Sequence, residues 1–166
     1  RSNRLANALL AQGLKRGDRV GIYLPNCTEI VEIELACYKA GLVKAPFNAR
    51  LSPREVVEIA DNSDAALIVT TAERAESFRA QLRNPQVQLV ELGSNENHSY
   101  ERLLQKASDH FSAVEVHEHE VAVLHYTSGS SGTLKAAMQT FGNRLAQLRK
   151  FLMRGEGMQA GHTLGL

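Results

Sequence analysis

One stretch combines residue types that could do chemistry at a defined spacing: Tyr126-Thr127-Ser128-Gly129-Ser130-Ser131-Gly132-Thr133-Leu134-Lys135. An apolar run, Val121-Ala122-Val123-Leu124, drives into it, and a basic, amphipathic segment follows. Every residue from Thr127 to Thr133 is Gly, Ser or Thr. Such a run has almost no apolar surface to bury. It can instead turn backbone amides and hydroxyls toward one point, because glycine permits the backbone angles that concave turns need. A polyphosphate would suit that concavity, with Lys135 supplying full positive charge. A flexible Gly/Ser linker has the same composition. The Walker A pattern G-x-x-x-x-G-K-[ST] is absent, since Leu134-Lys135-Ala136 stands where Gly-Lys-Ser/Thr is required, and no G-x-G-x-x-G occurs. Spacing alone leaves cradle and linker both open.

Other candidates are weaker. In an extended segment His117 and His119 of His117-Glu118-His119-Glu120 would share one face. Two adjacent ligands without a third read as a solvated linker, so no metal site is assigned. Cys27 and Cys37 are expected on one helix, about 15 Å apart at 1.5 Å per residue, beyond a disulfide's reach. Free, buried thiols fit a reducing cytoplasm. The Asn143 to Arg154 segment carries Leu145, Leu148, Phe151 and Leu152 on one side and Arg144, Arg149, Lys150 and Arg154 around the rest, which reads as a helix with a wet basic face.

The elements that must position the Thr127–Lys135 stretch alternate in type. Ser2 to Gly13 reads as a helix ended by Gly13, and Arg19 to Leu24 as a strand stopped by Pro25-Asn26. A helix from Thr28 to Ala40 follows, with Ile30, Ile33, Leu35, Ala36 and Cys37 as buried candidates, then a strand from Val43 to Phe47. Ser52-Pro53-Arg54-Glu55 is a capping box with proline at the first helical position. Its helix runs to about Asp61, and Ala65 to Thr70 is a nearly all-apolar strand, as in a sheet covered on both faces. Helices over Ala72 to Leu82 and Tyr100 to Ala107 flank a strand from Val87 to Leu92. The order predicts an α/β fold, a mainly parallel sheet with helices on both faces. Ligands collect at the carboxyl ends of such strands, and the Gly/Ser/Thr run follows the strand Val121 to Tyr126.

The totals set bounds. At 166 residues, 43% hydrophobic and 22% charged, the chain has the composition of a globular protein. A net charge of +1 gives no electrostatic case for nucleic acid as partner. No apolar run approaches the ~20 residues that span a bilayer. The first residue is Arg1, inside a helical pattern, and Gly161 to Leu166 looks like the start of a further strand, so the expectation is a piece of a longer protein.

With these residues in view, the chain resembles the AMP-forming adenylate ligases: acyl-CoA synthetases, luciferases and peptide-synthetase adenylation domains. Their phosphate loop reads T-S-G-[ST]-[ST]-G-x-P-K, and the stretch here agrees through Gly132 and at Lys135. Gly21-Ile22-Tyr23-Leu24-Pro25-Asn26, Ala36-Cys37-Tyr38-Lys39-Ala40-Gly41 and Asn48-Ala49-Arg50-Leu51 resemble the family's opening domain. The resemblance implies that residues 1–166 belong to the large N-terminal domain of a ligase most like a fatty-acyl-CoA ligase, in the acyl-CoA synthetase-like fold. A carboxylate would attack the α-phosphate of ATP–Mg²⁺ to give an acyl-adenylate and pyrophosphate, and coenzyme A would then take the acyl group. Thr127, Ser128, Gly129, Ser130, Ser131, Gly132, Thr133 and Lys135 would hold the β- and γ-phosphates. No catalytic residue and no metal ligand is implied within these residues, because the family's later motifs lie beyond Leu166. The chain alone is therefore expected to be inactive, and to self-associate through an exposed edge or apolar face. The rival is a non-catalytic ATP-binding homologue or interaction module of the same fold. Three positions depart from the pattern: Leu134 for proline, Ala136 for glycine, and Phe141 for the histidine of T-H-x-N.

Overall fold

The structure, a computed structural model, describes residues 1–94, 99–127 and 134–153. Six helices, α1 (Ser2–Ala11), α2 (Glu29–Ala40), α3 (Pro53–Ser63), α4 (Ala72–Phe78), α5 (Tyr100–Lys106) and α6 (Phe141–Met153), alternate with strands. These are β1 (Arg19–Tyr23), β2 (Val43–Pro46), β3 (Ala65–Thr71), β4 (Gln88–Leu92), β5 (Val121–Thr127) and β6 (Lys135–Thr140). They form one sheet in the order β4-β3-β1-β2-β5-β6, parallel from β4 through β5, with β6 alone antiparallel.

Each local signal has a visible physical outcome. Ser52 accepts the Glu55 amide while the Glu55 carboxylate takes the Ser52 amide at 2.8 Å, so the capping box at α3 forms in both directions. Gly41 ends α2 in the left-handed region at φ +66°, and its amide satisfies the Cys37 carbonyl. The nearly all-apolar β3 is central and covered on both faces. On one side α1, α2 and α5 bury Leu5, Leu9, Ile33 and Leu104 against Ile22 and Leu67. On the other, α3 carries Val56 and Ile59, and Phe78 from α4 packs with them against Ala45 and Ile68. Full burial of side chains this size contributes about 1.5–3 kcal/mol each, so these two layers hold the sheet.

Several expectations needed correction. Leu35 is 45% exposed rather than buried, because the packed face of α2 runs through Ile33, Ala36, Cys37 and Ala40. Cys27 lies in the turn before the N-cap Thr28, not on the helix, while Cys37 is fully buried; both are free. Leu148 and Phe151 of α6 are exposed. The strand β6 was not anticipated. Lys135-Ala136-Ala137-Met138-Gln139-Thr140 has neither the alternation nor the β-branched content of a strand, and pairing with β5 imposes its extended form.

Candidate phosphate site

Thr127 ends β5 and Lys135 begins β6, and the two are register partners. The strands that flank the Gly/Ser/Thr run are therefore antiparallel neighbours, whereas a parallel neighbour would have needed a long crossover. Ser128, Gly129, Ser130, Ser131, Gly132 and Thr133 lie outside the described residues. What the structure brings together is the pair that flanks them. Directly opposed residues of an antiparallel pair project to one face with Cβ atoms about 4.5–5.5 Å apart. An exposed hydroxyl and an exposed ammonium thus stand side by side at the carboxyl end of β5. Beneath them, Leu134 and Tyr126 pack against the α3–α4 layer, and the Tyr126 hydroxyl donates to Asn62 Oδ1 at 2.8 Å. Leu134, which replaces the family's proline, is thus part of the hairpin's footing.

The second support is the junction between β6 and α6. The Thr140 amide donates to Asn143 Oδ1 at 3.0 Å, and the Asn143 amide returns to Thr140 Oγ1 at 3.2 Å, a reciprocal cap. The next two amides are also met: Phe141 N–H donates to the Glu120 carbonyl at 2.9 Å and Gly142 N–H to the Glu118 carbonyl at 2.8 Å. The His117 to Glu120 segment is a turn closed by Glu120 N–H on the His117 carbonyl, not an extended strand. The His117 and His119 rings stack at 5.5 Å. Glu120 is held by Arg16 and by the His117 amide, and the Arg16 guanidinium, ahead of that amide, brings its carboxyl down to about 2. No group of three metal-ligating side chains exists among the described residues. The segment is a clamp on the start of α6.

A third support escaped the sequence reading. Glu34 Oε1 accepts from Lys44 Nζ at 2.5 Å, Tyr38 Oη at 2.7 Å and Arg144 Nη2 at 3.1 Å. The Arg144 Nε also donates to Tyr38 Oη at 3.0 Å, and Phe141 meets the Tyr38 ring edge-on. Burial pushes the Glu34 carboxyl up, yet the Lys44 and Tyr38 hydrogen bonds and the Lys44 and Arg144 charges outweigh it, and its pKa ends below the ordinary value. Burial first, then Glu34, raises the Tyr38 phenol. One signal pointed here: Lys44 is the lone charge in the apolar run Leu42-Val43-Lys44-Ala45-Pro46-Phe47, and it is 8% exposed. Such a lysine demands a buried partner. Phe141, in place of the family's histidine, serves as packing for Tyr38.

The cysteines offer no nucleophile to this site. Burial pushes the Cys37 thiol up to about 12 and also raises that of Cys27.

Comparison with known proteins agrees with this architecture. The family model for AMP-binding enzymes matches residues 1–164. The acetyl-coenzyme A synthetase of Cronobacter sakazakii is 33% identical over 164 residues, spanning 86% of this chain and 25% of the relative. The long-chain-fatty-acid-CoA ligase FadD1 of Archaeoglobus fulgidus superposes with a TM-score of 0.83 at 26% identity, over 90% of this chain and 30% of that structure. ATP-bound MatB of Rhodopseudomonas palustris also gives 0.83, at 25% identity, over 92% of this chain and 30% of that one. The chain belongs to the AMP-binding enzyme family. It spans about a quarter of the length of the relatives it matches.

Proposed function

We propose that these residues are the N-terminal part of an AMP-forming acyl-CoA ligase, and that Thr127 to Lys135 grip the β- and γ-phosphates of ATP while a carboxylic acid is activated. The observation that carries this is the register pairing of Thr127 with Lys135 around a loop of Gly, Ser and Thr. The Thr127 hydroxyl would donate to a phosphate oxygen and the Lys135 ammonium would neutralise charge as pyrophosphate leaves. Donors fixed in place before the charge develops are the means by which such a site gains rate. The donor set fits phosphate. For Mg²⁺ the described residues hold no cluster of three ligating side chains, so no step is assigned through the ion. Coenzyme A would accept the acyl group in the second step, and the acid is proposed to be a fatty acid, processed in the cytoplasm. No described helix is long and apolar enough to cross a membrane.

The chain alone is proposed to be inactive, having only this part of the site. Isothermal calorimetry with magnesium pyrophosphate tests the binding role. Lys135→Ala should bind about tenfold more weakly, the loss of one charge-assisted contact of about 1.5 kcal/mol, and equal binding refutes the role. Acyl-adenylate formed from ATP and a fatty acid by the purified chain would refute its inactivity. With β6 ending the sheet among the described residues and Met138 on it 69% exposed, self-association is proposed as well. A concentration-independent monomer in light scattering would exclude it.

A further inference from the structure

We infer that Glu34 and Arg144 are positioning residues for Lys135: their half-buried ion pair fixes α6, and through the Thr140–Asn143 cap it fixes β6 and Lys135. The inference rests on the phosphate reading of the Thr127 to Lys135 stretch. It starts from an imbalance in how the hairpin is held. Among the described residues, β5 is anchored by β2, whereas β6 pairs with β5 alone. Beyond that pairing, Leu134 foots the near end of β6 on the α3–α4 layer, and the far end is continued by α6 without a linker: Thr140 ends the strand and Phe141 begins the helix.

The helix α6 itself is lightly packed, with Leu148 and Phe151 exposed. Among its described side chains, the hydrogen bonds and ring contacts to other elements come from its first turn. There the Arg144 guanidinium reaches Glu34 and Tyr38 of α2, and Phe141 lies against the Tyr38 ring. Glu34 serves two cations at once, so Lys44 of β2 and Arg144 of α6 are tied to the same carboxylate oxygen. Lys44 is also in register with Val123 of β5, and Val123 with Gln139 of β6. The carboxylate therefore sits where α2, the sheet and α6 converge, and a strand that is an edge among the described residues is referred to the domain core through it.

The obvious variant, Glu34→Gln, leaves Lys44 buried without a countercharge and can unfold the domain. Arg144→Leu is the cleaner perturbation, because it releases α6 and keeps the Glu34–Lys44 pair. In Arg144→Leu, amide exchange across Lys135 to Thr140 should rise about tenfold, with β1 and β3 unchanged. Magnesium pyrophosphate should bind roughly three- to tenfold more weakly at a temperature where the far-ultraviolet spectrum is unaltered. Arg144→Lys, which keeps a donor and the charge, should recover most of that affinity. A purely structural role would shift the unfolding midpoint and leave the affinity of the folded protein as it was. Unchanged exchange in β6, or unchanged affinity in Arg144→Leu while Lys135→Ala is weakened, overturns the inference. Unchanged affinity in Lys135→Ala overturns the phosphate reading and the inference with it.

Discussion

Gly142 is the position where a single added methyl should act in the direction opposite to its usual effect. Alanine normally stabilises a helix over glycine by about 0.5–1 kcal/mol, through backbone entropy. Here the methyl would stand 2.9 Å from the Glu118 carbonyl oxygen and 3.2 Å from Glu118 Cβ. The obstruction is backbone, and that backbone is the acceptor for the Gly142 amide at 2.8 Å. It is also fixed from behind, since Glu120 of the same turn is bound to Arg16. Relieving the overlap means moving α6 off the turn, which costs about 1–3 kcal/mol as overpacking and about 1 kcal/mol for a weakened hydrogen bond. Against the propensity gain, Gly142→Ala should be destabilising by roughly 1–3 kcal/mol. At a urea slope of about 2 kcal/mol per molar, the midpoint falls by about 0.5–1.5 M. Urea titration followed by far-ultraviolet circular dichroism measures this. A midpoint equal to or above the parent's would refute the reasoning, because it would mean the turn yields freely and does not clamp α6.

Two further outcomes follow from local contacts. Ser52→Ala removes the side-chain half of the capping box, in which Ser52 Oγ also donates to Glu55 Oε2 at 2.6 Å, and should cost about 1 kcal/mol in thermal or urea unfolding; an unchanged midpoint would count against the cap. The Glu120 carboxyl, brought from 4.5 to about 2 by Arg16 and the His117 amide, should titrate near that lower value by carbon-detected NMR. Because the folded-state pKa is the lowered one, this contact's contribution to stability is fully present above pH 4.5 and is lost as pH falls toward 2. Titration at the ordinary value would mean the Arg16 contact is not formed in solution.

What the sequence made legible follows the range of the interactions concerned. The capping box at Ser52 and the apolar run at Ala65 to Thr70 are decided by neighbours within a few residues, and both formed as read. That the Gly/Ser/Thr run begins at the carboxyl end of β5 was legible for the same reason, since an apolar strand meets it there. The strand β6 was not, because its extended form comes from β5 across the hairpin and not from Lys135 to Thr140 themselves. Nor was Leu35, whose exposure depends on which face of α2 the first helix covers.

The Glu34 cluster joins residues from α2, β2 and α6, separated by up to 110 positions in the chain. Only the isolated charge of Lys44 hinted at it. Lys44 and Arg144 converge on one carboxylate, so the assembly carries a net positive charge with Lys44 buried and Glu34 and Arg144 half-buried. Such an arrangement is rarely worth more to stability than well-packed apolar residues of the same volume. Its justification must be directional: it holds α6 in one place, where a slippery apolar contact would allow several. The exposed Thr127–Lys135 pair gains from that only if its spacing matters. A phosphate held between a hydroxyl on one strand and an ammonium on the next would be a ligand for which the spacing does matter, and on the proposed reading the Glu34 cluster and the exposed pair are two ends of one constraint.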